Sequence, residues 1–175
     1  MVRIEPIQII QTGIEPMRLL LLSVGRAKPG PERDLVERYI TRAAAAARSL
    51  GFSSVELREI DESRARRPED RKLEEAKALR AALGQAAYIA CDETGKAISS
   101  ADFAAELGRA RDGGLAVLGL VVGGPDGLDP AFRAEARLTI SFGAMTWPHQ
   151  LARALAAEQI YRAMTILSGH PYHRV

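Results

Sequence analysis

The sequence predicts an α/β fold, a mostly parallel sheet flanked by helices, on three observations. Apolar runs of strand length, "RLLLLSV", "AAYIAC" and "LAVLGLVV", lack the polar alternation of a half-exposed strand, as strands buried on both faces do. Segments of helical length and periodicity lie between them. Gly- and Pro-bearing loops, "GRAKPGP" and "GGPDGLDP", punctuate the alternation, which is the pattern of a parallel sheet built from βα units.

The elements follow in order. Residues 1–16, "MVRIEPIQIIQTGIEP", read as a disordered N-terminal extension, because "IEP" occurs twice and Pro6 and Pro16 interrupt it; an extra edge strand over residues 7–10 is the alternative. A single domain then runs over residues 17–175. Its first strand is "RLLLLSV". "ERDLVERYITRAAAAARSL" is a helix with Leu35, Tyr39 and Arg42/Ala43 at helical spacing, ended by Gly51. "SSVELREI" is a strand with Val55, Leu57 and Glu59 on one face. The charged loop "DESRARRPEDRK" leads into a helix from about Pro68 to Gly84, and "AAYIAC" is the third strand. "SSADFAAELGRAR" is a helix with Ser99 or Ser100 as N-cap. After the strand "LAVLGLVV" come "GGPDGLDP", a short helix and the strand "RLTISF". A final helix runs from Pro148 to about Ser168, with Thr146 as its expected N-cap and Pro148 in its first turn.

The chain of 175 residues is long enough to bury a core as one domain. A formal charge of +2 does not mark a bulk nucleic-acid binder. Cys91 is the only cysteine, which rules out an intrachain disulfide and fits a reducing compartment. "LLLLSV" is too short to span a bilayer and lacks the flanks of a signal peptide. The expectation is a soluble cytoplasmic protein.

The motifs of several enzyme classes are missing. No G-x-G-x-x-G follows a strand, and no G-x-S-x-G elbow is present. "DETGKA" (92–97) imitates the end of a phosphate loop, but Ala97 stands where a magnesium-binding Ser or Thr is needed. Two loops remain. In "VVGGPDGL" a buried strand runs into Gly123 and Gly124, where a ligand can approach the backbone, although a plain tight turn would look the same. "SFGAMTWPHQ" also follows a strand and opens a helix. Together the two loops are candidates for one pocket whose ligand is held by backbone groups and apolar walls.

The C-terminal end is the most specific part. "VVGGPDGL" followed by "TWPHQLARALAAEQIYRAMTILSGHPYHRV" resembles the large-subunit ribosomal RNA methyltransferase H family, within the SPOUT superfamily of knotted methyltransferases. The resemblance spans residues 17–175; before the last third it rests on strand–helix order and "DETGK".

The resemblance implies an α/β knot with a C-terminal trefoil, S-adenosylmethionine as cofactor, and a homodimer. It implies N3-methylation of a pseudouridine, position 1915, in 23S rRNA of the assembled 70S ribosome, with neither metal nor membrane. Carried over residue by residue, the cofactor contacts fall on Cys91, Gly124, Gly143, Ala144, Met145, Thr146, Trp147 and Pro148. Two of these depart from the family, which has Leu at both the Cys91 and the Trp147 positions. Cys91 then reads as an apolar wall residue. Trp147 packs on the knot or offers a face for stacking a base.

The proposed chemistry needs a base and a cation. N3 of pseudouridine is an imide nitrogen that must lose its proton to attack. His173 can take the proton, Arg174 can stabilise the anion, and Tyr172 adds an aromatic face. A tail of this kind closes more easily over a partner's pocket than over its own. Arg64, Arg67, Arg153 and Arg162 are candidate RNA contacts. The loop holding Arg64, Arg66, Arg67 and Arg71 reads equally as a solvated linker, and Arg162 equally as the i,i+4 partner of Glu158. His170 fits a helix-end role and His149 a neutral, hydrogen-bonded one. Two other classes compete: a non-catalytic ribosome-binding factor, and a metal hydrolase using His149, His170 and His173.

Overall fold

The first apolar run lies inside a five-stranded sheet. A computed structural model describes residues 15–172. The expected N-terminal extension, apart from Glu15 and Pro16, and the His173–Arg174 pair lie outside the described residues. Strand β1 (Met17–Val24) is flanked by β2 (Phe52–Ile60) and β4 (Val117–Val122); β3 (Ala87–Ala97) and β5 (Leu138–Ser141) complete the order β2-β1-β4-β3-β5. Every pairing is parallel, so the sheet is wholly rather than mostly parallel.

Helices cover both faces, which is why β1 lacks alternation. Leu19 and Leu21 point into a core shared with α1 (Pro31–Ala47), α3 (Ser100–Asp112) and α5 (His149–Leu167). Leu20, Leu22 and Val24 point the other way, against α2 (Pro68–Leu83) and α4 (Pro130–Ala134). Truncating a fully buried residue such as Leu21 to Ala would cost roughly 2–5 kcal/mol.

Local sequence sets the element ends. Pro31, Pro68 and Pro130 open α1, α2 and α4, where a missing N–H costs nothing. The Ser99 side chain caps α3 by accepting from the Asp102 N–H at 3.0 Å. Gly51 ends the turn after α1 in the left-handed region. The expected cap of α5 is different: Pro148 occupies the N-cap, no side chain caps the helix, and Thr146 is exposed in the preceding loop.

Strand β3 runs further than "AAYIAC" suggested. "DETGKA" is its second half, where the register with β5 shifts between Cys91 and Lys96. A Cβ on Gly95 would lie 2.5 Å from the Ile140 carbonyl carbon, so glycine is required for the two backbones to approach. The segment that imitates a phosphate loop is therefore the bend of a strand.

Candidate ligand-binding site

A cavity of about 770 Å³ opens where β4 ends and β3 bends. In open α/β sheets ligands settle at the carboxyl ends of the strands, and this volume suits a small organic molecule. Three segments wall it: residues 91–94 of β3, the loop 123–128 after β4, and the loop 141–149 leading into α5. Val122, Leu128, Trp147 and Pro148 supply apolar surface, and Thr94, Ser141 and Thr146 supply hydroxyls.

Seven of the eight cofactor positions expected from sequence line this one cavity: Cys91, Gly124, Gly143, Met145, Thr146, Trp147 and Pro148. Ala144 lies in the same loop, exposed, without lining it. Burial first, and then the Asp92 charge, push the Cys91 thiol upward, so it stands as a neutral wall group.

Gly124 lines the cavity with its backbone, and its missing side chain also makes room for packing. A Cβ there would lie 3.0 Å from Val24 Cγ1 and 3.2 Å from Glu75 Oε2, so the missing side chain points into packed protein. Glu75 is 4% exposed, accepts the Ser63 N–H at 3.0 Å, and has its pKa raised by burial above all.

One wall carries a charged cluster that sequence reasoning missed. Asp92 accepts the Thr94 N–H at 2.9 Å, the Thr94 hydroxyl at 2.6 Å and Nη1 of Arg133 at 3.0 Å, all on Oδ1. Burial alone would raise the Asp92 pKa; those bonds outweigh it, and the group is held below the ordinary carboxylate value. Asp92 and Thr94 were visible in "DETGK", but nothing in sequence linked them to Arg133. A second pair, Arg71 with Asp126 at 2.6 and 3.0 Å, ties α2 to the glycine loop.

The candidate RNA contacts divide. Arg64 is exposed, and Arg67 is exposed but paired with Asp70 at 2.8 Å. Arg162 is bound to Glu158 at 2.5 Å, as its i,i+4 spacing allowed. Arg153 is a correction: it is 2% exposed, with its guanidinium given to Glu59 at 2.5 Å and to the Val24 and Gly25 carbonyls at 3.0 and 2.6 Å. It clamps α5 to the ends of β1 and β2 and offers nothing to a phosphate. Helical phase alone does not distinguish a buried Arg from an exposed one.

The tail begins away from the cavity. Tyr172 packs on Tyr161 and under the guanidinium of Arg162, 5.1 Å from its ring, and lines no part of the cavity. Its phenol is pushed up to about 12, by burial first and then by a hydrogen bond with Tyr39 and the Glu158 charge, so it remains protonated near neutrality. His149 and His170 stand at opposite ends of α5, a helix of 19 residues and roughly 28 Å, so one chain cannot bring both to a single metal. Among the described residues no group of three His, Cys, Asp or Glu is placed to hold a metal ion.

A parallel sheet covered on both faces, with one small-molecule cavity between two glycine loops at its carboxyl edge, defines a ligand-binding α/β protein. The chain belongs to the SPOUT methyltransferase family: the family's sequence model, described as "Predicted SPOUT methyltransferase", matches residues 17–173. Relatives from Beijerinckia indica and Methylocella silvestris, each named "Ribosomal RNA large subunit methyltransferase H", are 58% identical over 159 residues, covering 90% of this chain and 99% of theirs. The crystal structure of a probable methyltransferase from Bordetella pertussis Tohama I, 15% identical, aligns with a TM-score of 0.50 over 85% of this chain and 95% of that one, a likeness of fold alone.

SPOUT methyltransferases take their methyl group from S-adenosylmethionine. The cavity fits that molecule in kind. Apolar walls suit its adenine, hydroxyls and loop backbone suit its ribose, and the cations Lys72 and Arg133 among the lining residues suit its carboxylate.

Proposed function

We propose that the chain is an S-adenosylmethionine-dependent methyltransferase of 23S rRNA. It methylates N3 of a pseudouridine, position 1915, on assembled ribosomes in the cytoplasm, as a homodimer. The observation that carries the reading is the cavity between the two glycine loops, in a chain 58% identical to proteins named for methylation of large-subunit ribosomal RNA. In this reading segments 123–128 and 141–148 belong to the trefoil knot.

When bound, the cofactor supplies a methyl group on a sulfonium, which leaves as a neutral thioether once the methyl–nitrogen bond forms. The chain's residues do the rest. The cavity fixes the donor's position, and alignment of donor and acceptor supplies much of the rate. His173 takes the N3 proton, and Arg174 offsets the charge of the imide anion. Tyr172 acts as an anchor for the tail, because its phenol is protonated and packed.

The tail's course supports a composite site. Ala152 faces the cavity, whereas Tyr161, which Tyr172 touches, is about two and a half helical turns further and half a turn out of phase. The described start of the tail, Tyr172, thus lies on the face of α5 opposite its own cavity, which supports a tail that serves a partner's. Arg64 and Arg66, exposed on one loop, serve as phosphate contacts in this account.

The test is methylation of intact ribosomes followed by mass mapping of the modified nucleoside. One methyl on the pseudouridine is expected, with isolated rRNA a much poorer substrate because the described residues form one α/β unit with no separate RNA-binding module among them. Methylation of another base would overturn the assignment, and cofactor binding with no transfer would favour the ribosome-binding factor.

A further inference from the structure

We propose that Arg133, held by Asp92, is the group that recognises the α-carboxylate of the cofactor. The inference rests on the cavity being the S-adenosylmethionine site.

Arg133 lines the cavity from α4. Among the described residues its side chain has one acceptor, Asp92 Oδ1, reached by Nη1 at 3.0 Å. An arginine has five N–H donors in a planar fork, and a carboxylate takes two of them side by side. The remaining edge is available to such a ligand. Asp92 is itself immobilised: its side chain is 8% exposed, and the Thr94 N–H and hydroxyl bind the same oxygen. The guanidinium is therefore oriented before any ligand arrives, and orientation fixed in advance is what turns a surface cation into a specific contact.

The other charges point the same way. Asp126, also on the cavity wall, is consumed by Arg71. Arg153 is buried on backbone carbonyls and lines none of the cavity. Lys72 lines the wall without a protein ion pair in the described residues, but a flexible ammonium lacks the bidentate fork. Arg133 is thus the pre-oriented planar cation of the cavity. A cofactor with a carboxylate, an ammonium and a sulfonium needs one such contact to fix which end lies where. Asp92 and Thr94 are positioning residues in this scheme, because they act through Arg133.

The experiment compares S-adenosylmethionine with decarboxylated S-adenosylmethionine, which keeps the adenosine, sulfonium and ammonium and lacks only the carboxylate. Calorimetry on the full chain reads both affinities, with no turnover required. The unmodified protein should bind the decarboxylated probe at least about tenfold more weakly, or about 1.4 kcal/mol. Arg133→Gln should weaken S-adenosylmethionine by a similar factor and leave the decarboxylated probe nearly unchanged, so that the two losses are not additive. Arg133→Lys should recover only part of the loss.

Equal affinity of the unmodified protein for the two probes would overturn the proposal, and that comparison does not depend on any variant folding. Equal losses of both probes in Arg133→Gln would also overturn it, since the residue would then act through wall structure. Unchanged binding of both probes with weakened ribosome binding would move Arg133 to the RNA. Binding of neither probe to the unmodified protein would sink the cavity reading, and the role of Arg133 with it.

Discussion

The ring of Tyr172 lies on the ring of Tyr161, centroids 4.8 Å apart and planes 60° apart. Tyr161 in turn sits 6.0 Å from Tyr39 of α1, so three tyrosines fasten the start of the tail to the α1–α5 seam. That contact fixes the tail's point of departure on the far side of α5 from the cavity.

The first prediction concerns subunit complementation. His173→Ala should reduce methylation by about 10²–10⁴, the usual cost of a lost general base, with cofactor affinity retained. Gly143→Val should abolish cofactor binding, because position 143 has φ +113° and a branched residue there distorts the cavity loop. Heterodimers of the two variants contain one site with an intact cavity and, if tails cross, an intact tail. Their activity should rise to about half that of the unmodified dimer, the share expected of one working site in two. Verified heterodimers no more active than either parent would show that each tail serves its own cavity.

A second prediction concerns Gly124. Its loop carries the signature "GGP", and sequence alone suggests a backbone left bare for a ligand. The absent Cβ faces Val24 and Glu75, so Gly124→Val overpacks a filled space. Destabilisation of about 1–3 kcal/mol is expected by chemical denaturation, with cofactor affinity falling as a consequence. Full stability with selectively lost affinity would show that the missing side chain makes room for the ligand and not for Val24 and Glu75.

Those two glycines show what was legible in the sequence. The strands announced themselves because a strand buried on both faces carries no polar alternation; β1, β3 and β4 were read from that, and β2 from Val55, Leu57 and Glu59 recurring on one face. The end of β3 was not, because "DETGKA" is polar and its pairing depends on a glycine meeting the Ile140 backbone, a contact between distant segments. The cavity loops were legible as Gly and Pro after strands. Arg133 was not, since its significance comes from Asp92, 41 positions away in sequence. Arg153 was misread for the same reason: its partners are carbonyls at the end of β1, and a surface and a buried arginine look alike until the strand ends are in place.

Acid stability offers a third prediction. His149 lies 3.7 Å from Glu62 and close to Arg153. Burial lowers its pKa most, Glu62 pulls it back up, Arg153 lowers it again, and the balance lies below the ordinary 6.5. With the folded value depressed, the unfolded chain takes up the proton first as the pH drops. The contribution to stability is complete above about 6.5 and is lost as the pH falls through the lower folded value. Thermal midpoints of the unmodified protein should decline through this window more steeply than those of His149→Gln, both measured from about pH 8 to pH 5. Parallel profiles would show that His149 titrates alike in both states.

The last prediction uses the only tryptophan of the chain as a reporter. Trp147 lines the cavity and is 42% exposed, in the loop that also carries Met145, 75% exposed. Such exposure leaves a large apolar surface wet in the free protein, and a ligand entering the cavity would cover part of it. Cofactor binding should therefore shift or quench the emission of Trp147, saturating at the same concentration as the calorimetric isotherm. Trp147→Leu should remove the signal and weaken binding less than about tenfold, or about 1.4 kcal/mol, since Leu keeps an apolar wall of smaller area. Gly143→Val should abolish the response while leaving the tryptophan in place. If emission is unmoved by a cofactor that calorimetry shows to be bound, the indole faces away from it. The stacking role would then be favoured, and Trp147→Leu should leave cofactor affinity intact while slowing methylation of ribosomes, because an aromatic face, and not an apolar wall, would be what the substrate base requires.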